Sequence, residues 1–237
     1  MSKSKKRYSV IVAGGSGTRM KTVIAKQFLP LLDKPILSHT VEKFLSLPNN
    51  EVIAVLPEKD MIFWEEIITS NHTLSVAVES GKLKTVAGGE TRYQSVSNGL
   101  AAISSEEGLV AIHDGVRPLV SIKKIEEAFS QAEVKGSAVL SVPLKDSARR
   151  IDRDKNEHID RSKIVLIQTP QTFDLRLIKK AFSLGEQPFF TDDASVFEYA
   201  GHEVNLIEGD YENIKITTPE DLSVAEVLIN YANNSSL

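Results

Sequence analysis

The stretch Tyr8-Ser9-Val10-Ile11-Val12-Ala13-Gly14-Gly15-Ser16-Gly17-Thr18-Arg19-Met20 decides the fold. Its first half is an apolar, β-branched run that reads as a buried strand. The run stops at Gly14, Gly15 and Gly17, with Arg19 two residues further on. A strand ending in a glycine-rich turn is how open α/β sheets present a loop at the carboxyl edge, where ligands bind. Backbone N–H groups there can cradle phosphate oxygens, and the cation suits the same use. A plain structural turn is the alternative. Three familiar templates fail. A G-x-G-x-x-G fingerprint starting at Gly15 would need glycine at Met20, Gly81-Lys82 is followed by Leu83 rather than Ser or Thr, and a G-x-S-x-G elbow would need glycine at Thr18.

Outward from this stretch, short β-branched runs alternate with longer amphipathic ones. Strands are predicted over residues 8–13, 51–56, 83–86, 109–113, 137–142, 164–168, 203–207 and 213–216. Helices are predicted over 35–45, 59–69, 90–103, 122–133, 175–182, 192–199 and 219–231. The last has a clear start, with Thr218 at the N-cap, Pro219 in the first turn, and Glu220 and Asp221 facing the positive end of the dipole. The pattern is that of an α/β protein, a Rossmann-like mostly parallel twisted sheet flanked by helices, with residues 1–237 forming a single domain.

Composition narrows the class. The 237 residues are 41% hydrophobic and 25% charged, the balance of a packed globular chain. The longest apolar runs fall far short of the roughly 18 residues that span a bilayer. The basic start, Lys3 to Arg7, leads into a run that ends in glycines rather than a secretory segment, so the expected location is cytoplasmic, without membrane association. Zero cysteines remove disulfides, thiol nucleophiles and thiolate metal sites. A net charge of -4 argues against a nucleic-acid partner. The five histidines are scattered and read as structural or surface groups, and Phe63 and Trp64 read as core.

One segment breaks the pattern. Leu144 to Arg161 carries six cations and five anions in 18 residues and has almost no apolar face. It reads either as a solvated loop or hairpin or as an arm that meets a second subunit, since long loops inside compact domains usually carry function.

Beyond the glycine loop come Lys26-Gln27-Phe28-Leu29-Pro30 and Asp33-Lys34-Pro35 at a helix start. Together these resemble the sugar-phosphate nucleotidyltransferase superfamily. Further segments are Gly88-Gly89-Glu90-Thr91-Arg92-Tyr93-Gln94-Ser95-Val96, His113-Asp114-Gly115-Val116-Arg117-Pro118, Asp160-Arg161, Gln168-Thr169-Pro170-Gln171, Thr191-Asp192-Asp193-Ala194-Ser195 and Asn213-Ile214-Lys215-Ile216. In that order the set resembles the 2-C-methyl-D-erythritol 4-phosphate cytidylyltransferase family. The pentitol-phosphate (ribitol 5-phosphate) cytidylyltransferases share most of these segments and are the alternative. A non-catalytic nucleotide-binding protein on the same fold is a further one.

A phosphate monoester is already anionic at neutral pH, so joining it to the α-phosphorus of CTP requires no general base. The barrier lies in bringing anions together and stabilising charge on departing pyrophosphate, which calls for fixed cations, backbone N–H groups and Mg²⁺. The residues suit this chemistry, and the resemblance implies their roles. Arg19 and Lys26 are expected on the triphosphate, with Ala13, Gly14, Gly15, Ser16, Gly17, Gly89, Arg92, Ser95, Asp114 and Gly115 around the nucleotide. Asp114, at a strand's carboxyl end, is the candidate Mg²⁺ carboxylate, one sufficing where substrate oxygens supply the rest; the alternative is a turn-capping Asp. Arg161 and Lys215 are expected to orient the attacking phosphate, with Arg117, Ser147, Thr169 and Thr191 on the polyol phosphate. The resemblance also implies a homodimer in which the 144–161 arm helps to close its partner's site.

Overall fold

The computed structural model describes residues 5–14 and 24–235. The first strand, β1 (Arg7–Val12), forms where the β-branched run predicts it and lies near the middle of a seven-stranded sheet. After a 3-10 turn over Lys26–Phe28 come two short strands, β2 (Pro30–Leu31) and β3 (Lys34–Pro35), then α1 (Ile36–Leu45), β4 (Asn50–Leu56), α2 (Met61–Ser70), α3 (His72–Glu79), β5 (Leu83–Ala87), α4 (Arg92–Ala101) and β6 (Leu109–Asp114). The second half runs α5 (Ile122–Lys135), β7 (Ser137–Pro143), β8 (Ala148–Asp152), β9 (Lys155–Ile159), β10 (Val165–Asp174), α6 (Leu175–Phe182), α7 (Asp193–Tyr199), β11 (Leu206–Glu208) and α8 (Pro219–Ser235).

The sheet order is β11-β7-β10-β6-β1-β4-β5. Its pairs are parallel except those of β10, which runs antiparallel to both β6 and β7. β1, β4 and β6 therefore all point their carboxyl ends to one edge. Side chains alternate between two cores. Ile11, Ala54 and Ala111 face the helices α1 and α5, while Val10, Val55 and Ile112 face α4 and α6. α4 comes unusually close to the sheet, since a Cβ on Gly99 would lie 2.5 Å from Val10.

Two expectations are corrected. Residues 213–216 form no strand. Their alternation serves an extended segment over the sheet's carboxyl edge, with Ile214 and Ile216 joining the small core around Leu31 and Ile36 while Lys215 turns to Asp114. The chain over 72–79, read as no element, is helical, because the Asn71 side chain accepts the Leu74 N–H and starts a helix straight after α2. Trp64 is core as expected, but Phe63 is exposed on one side and rests edge-on against Phe28. The start of α8 is as predicted: Thr218 Oγ1 accepts from Asp221 N, and Asp221 Oδ2 accepts from the backbone N–H groups of Thr217 and Thr218. The charged segment forms an exposed hairpin, β8 on β9, with Arg150 and Glu157 paired across it.

Candidate active site

The carboxyl edge of the sheet carries two adjoining cavities. The first lies between the end of β1, the Lys26 turn and the start of α4, and is walled by Ala13, Gly14, Lys26, Gly89, Ser95 and their neighbours. The second lies towards β10 and α7, with Arg117, Thr169, Gln171 and Thr191 in its wall. Arg92, Asp114 and Lys215 line both. Among the described residues, those expected on the nucleotide thus fall mostly around one cavity, and those expected on the second substrate mostly around the other.

Local packing fixes each wall. Phe28 stacks on Trp64 and Gln27 Nε2 donates to Asp60 at 2.9 Å, which pins the turn bearing Lys26 onto the start of α2. At the start of α4, Thr91 caps the helix and Ser95 turns its hydroxyl inward, accepting from Gly89 N at 3.1 Å and donating to Thr91 O at 3.0 Å. A Cβ on Gly89 would sit 2.3 Å from Gln94, so only glycine permits this close turn.

Asp114 ends β6 at the junction of the two cavities. Its Oδ2 lies 3.0 Å from Lys215 Nζ and 3.3 Å from Arg117 Nε, and Arg92 Nε stands 4.0 Å from Oδ1. Burial by itself would raise this carboxyl, but Lys215, Arg92 and Arg117 outweigh it and hold the group below the usual carboxylate range. The Arg117 guanidinium also donates to Asn213 O at 2.7 Å. Behind them lies a buried chain of hydrogen bonds. Thr169 Oγ1 accepts from Asp114 N at 3.0 Å, so its own proton goes to His113 Nδ1 at 3.1 Å, and His113 Nε2–H donates to Arg117 O at 3.0 Å. Burial pushes His113 down to about 3, so the ring is neutral, as this chain requires.

Gly15, Ser16, Gly17 and Arg19 fall outside the described residues. Three other expected residues lie away from both cavities. Gly115 faces inward rather than into either cavity: its N–H donates to Val12 O, its carbonyl accepts from Thr40, and a Cβ there would meet Leu37 at 2.9 Å. Ser147 is exposed at the hairpin base, as is Arg161, which donates to Lys145 O, and neither lines either of these two cavities. Arg92, expected on the nucleotide, is committed to Asp193 through two parallel hydrogen bonds of 2.7 and 2.6 Å. Asp193 was missed. In sequence it is one more acid in the first turn of a helix, and nothing local reveals that it is buried beneath an arginine 101 residues away.

The described donors fit a divalent cation through a single carboxylate rather than a cluster. Among the described residues no three Asp, Glu or His groups converge on a point. An ionised Asp114 in the cavity wall, with phosphate oxygens supplying further ligands, fits the one-carboxylate habit of Mg²⁺.

A mostly parallel α/β sheet whose carboxyl edge holds a double, cation-walled cavity defines a transferase handling phosphorylated ligands. The chain belongs to the 2-C-methyl-D-erythritol 4-phosphate cytidylyltransferase family, whose model matches residues 8–231. It is 43% identical to the protein of that name from Bacteroides fragilis, over 94% of this chain and 99% of the relative. It is 41% identical to that from Phocaeicola vulgatus, with the same coverage of both chains. A crystal structure of 4-diphosphocytidyl-2C-methyl-D-erythritol synthase from Anaerococcus prevotii superposes with a TM-score of 0.80 at 28% identity, over 95% of this chain and 96% of that one.

Proposed function

We propose that the chain, acting as one nucleotidyltransferase domain over residues 1–237, transfers the cytidylyl group of CTP to 2-C-methyl-D-erythritol 4-phosphate in the non-mevalonate isoprenoid route. The products are 4-diphosphocytidyl-2-C-methyl-D-erythritol and pyrophosphate. A phosphate oxygen of the polyol forms a bond to the α-phosphorus as the bond to the bridging oxygen breaks, and pyrophosphate leaves with that electron pair. The observation that carries this reading is the ring of cations around Asp114 where the two cavities meet, since one ligand in each cavity brings two phosphates to the same charges.

On this reading CTP takes the first cavity, its triphosphate against Lys26, Arg19 and the glycine loop, and its cytosine and ribose near Gly89 and Ser95. The polyol phosphate takes the second cavity, where Arg117, Thr169 and Thr191 meet its phosphate and hydroxyls. Lys215, kept against Asp114, meets the attacking phosphate. Asp114 would hold Mg²⁺, which would supply charge neutralisation on the triphosphate. Arg161 and Ser147 reach the second cavity of a partner copy, through a homodimer built on the hairpin. Their exposure at the hairpin base is what supports that assignment. The expected compartment is the cytoplasm, with which a chain free of cysteine is compatible.

Pyrophosphate release measured with CTP across a panel of polyol phosphates tests the reading. Turnover on methylerythritol phosphate well above that on ribitol 5-phosphate is expected. The reverse order overturns the substrate, and no turnover on any overturns the reaction.

A further inference from the structure

Asp193 is buried among side chains, with 1% of its own exposed, so no substrate touches it. Its carboxylate nevertheless grips a guanidinium that lines both cavities. A buried ion pair gives little net stability over apolar packing, so stability alone does not account for it. The charges nearby suggest another account. Arg92, Arg117 and Lys215 surround a single carboxylate in the cavity wall, Asp114, and Arg92 is the most distant of the three at 4.0 Å. Released from Asp193, the Arg92 guanidinium would find Asp114 its nearest anion, about 1 Å short of hydrogen-bonding range. There, on Oδ1, it would draw on the charge of the one carboxylate that holds Lys215 and Arg117 through Oδ2, and so loosen their hold.

We propose that Asp193 is a positioning residue whose two-pronged grip on Arg92 keeps that guanidinium off Asp114, and so reserves Asp114 as the anchor that orients Lys215 and Arg117 toward the polyol phosphate. The inference rests on the proposed function and gives a role to a residue of the Thr191–Ser195 segment that had none. Asp193 itself takes no part in bond making. Its position suits that role. As the first residue of α7 it follows Thr191 and Asp192, and the Asp192 side chain both caps α7 and accepts from Gln171 in the second cavity. The grip therefore joins the α4 wall of one cavity to the α7 wall of the other.

Steady-state kinetics on Asp193→Asn, Arg92→Gln and the double variant test this. Asp193→Asn is expected to raise KM for methylerythritol phosphate tenfold or more, with KM for CTP changed less than threefold. In the Arg92→Gln background the same Asp193→Asn change should move KM for methylerythritol phosphate less than twofold, because no guanidinium remains to misplace. A purely structural role would lower thermal stability in both backgrounds and leave the two KM values moving together, which overturns the proposal. So would an undiminished effect of Asp193→Asn without Arg92. Should the Asn variant not fold, Asp193→Glu, which keeps the charge but displaces the guanidinium by about one methylene, gives a smaller rise in the same KM, and wild-type behaviour there overturns the proposal. Wild-type protein that turns over CTP while Asp193→Asn is unaffected sinks this inference alone, whereas wild-type protein inert with CTP sinks the proposed function with it.

Discussion

His113 sits wholly buried behind Asp114 and carries a pH dependence for that reason. Burial pushes its folded pKa down to about 3, and the hydrogen bond to Arg117 O only partly opposes this. An unfolded histidine takes up a proton near pH 6.5, so below that value the unfolded state binds protons that the folded state refuses. The contribution is complete above pH 6.5 and is lost as pH falls towards 3, amounting to about 2 kcal/mol by pH 5. Denaturant unfolding of the wild type between pH 7 and 5 should show this fall, and His113→Gln should show a flatter profile from a lower starting stability. Parallel profiles would assign the slope to another group. At this scale segments recognisable in the sequence placed Asp114, Arg117 and Lys215 at the cavities, but not the inward turn of Gly115 or the burial of Asp193. His113 read correctly as structural, but its place in a chain from Thr169 to Arg117 depends on strands β6 and β10 lying side by side, which no local pattern encodes.

Among the elements, α4 shows how packing places chemistry. Gly99 lets it lie directly on β1 and β4, and that contact brings Arg92 and Ser95 to the cavity at its other end. Gly99→Ala puts a methyl within 2.5 Å of Val10 and 2.9 Å of Val55. Overpacking of this kind costs about 1–3 kcal/mol, so a clear fall in Tm is expected, and an unchanged Tm would mean that the helix shifts freely. Strands with β-branched runs were readable in advance, β1, β4 and β6 above all, because burial on both faces demands them. The segment around Lys215 was misread because alternation reports which side chains are inward and says nothing of whether a neighbouring strand is present. α3 was missed because Val76 and Val78 mimic strand alternation on a helix that Asn71 starts.

For the whole molecule, the homodimer proposed on the exposed hairpin makes the number of chains in an active unit a measurable question. If each site takes Lys26 from one copy and Arg161 from the other, Lys26→Ala and Arg161→Ala homodimers each lack one essential cation. Loss of roughly 100-fold in kcat is expected of the Lys26 variant, by analogy with removing an oxyanion donor. Mixed and allowed to exchange subunits, the two should recover about a quarter of wild-type activity, since half the dimers are mixed and each has one intact site. No recovery would place both cations in the same copy.

β10 also sets where this chain can change in length. It leaves the hairpin at Val165, passes the second cavity at Gln168 and Gln171, and ends with Phe173 deep in the core. A residue added at the Arg153–Asp154 turn lengthens only the solvent-facing tip between β8 and β9. One added between Gln171 and Phe173 would turn every later side chain of the strand to the opposite face and expel a phenylalanine from its core. Insertions are therefore expected to be tolerated at the outer end of this continuous run of chain and to disrupt the core at its inner end.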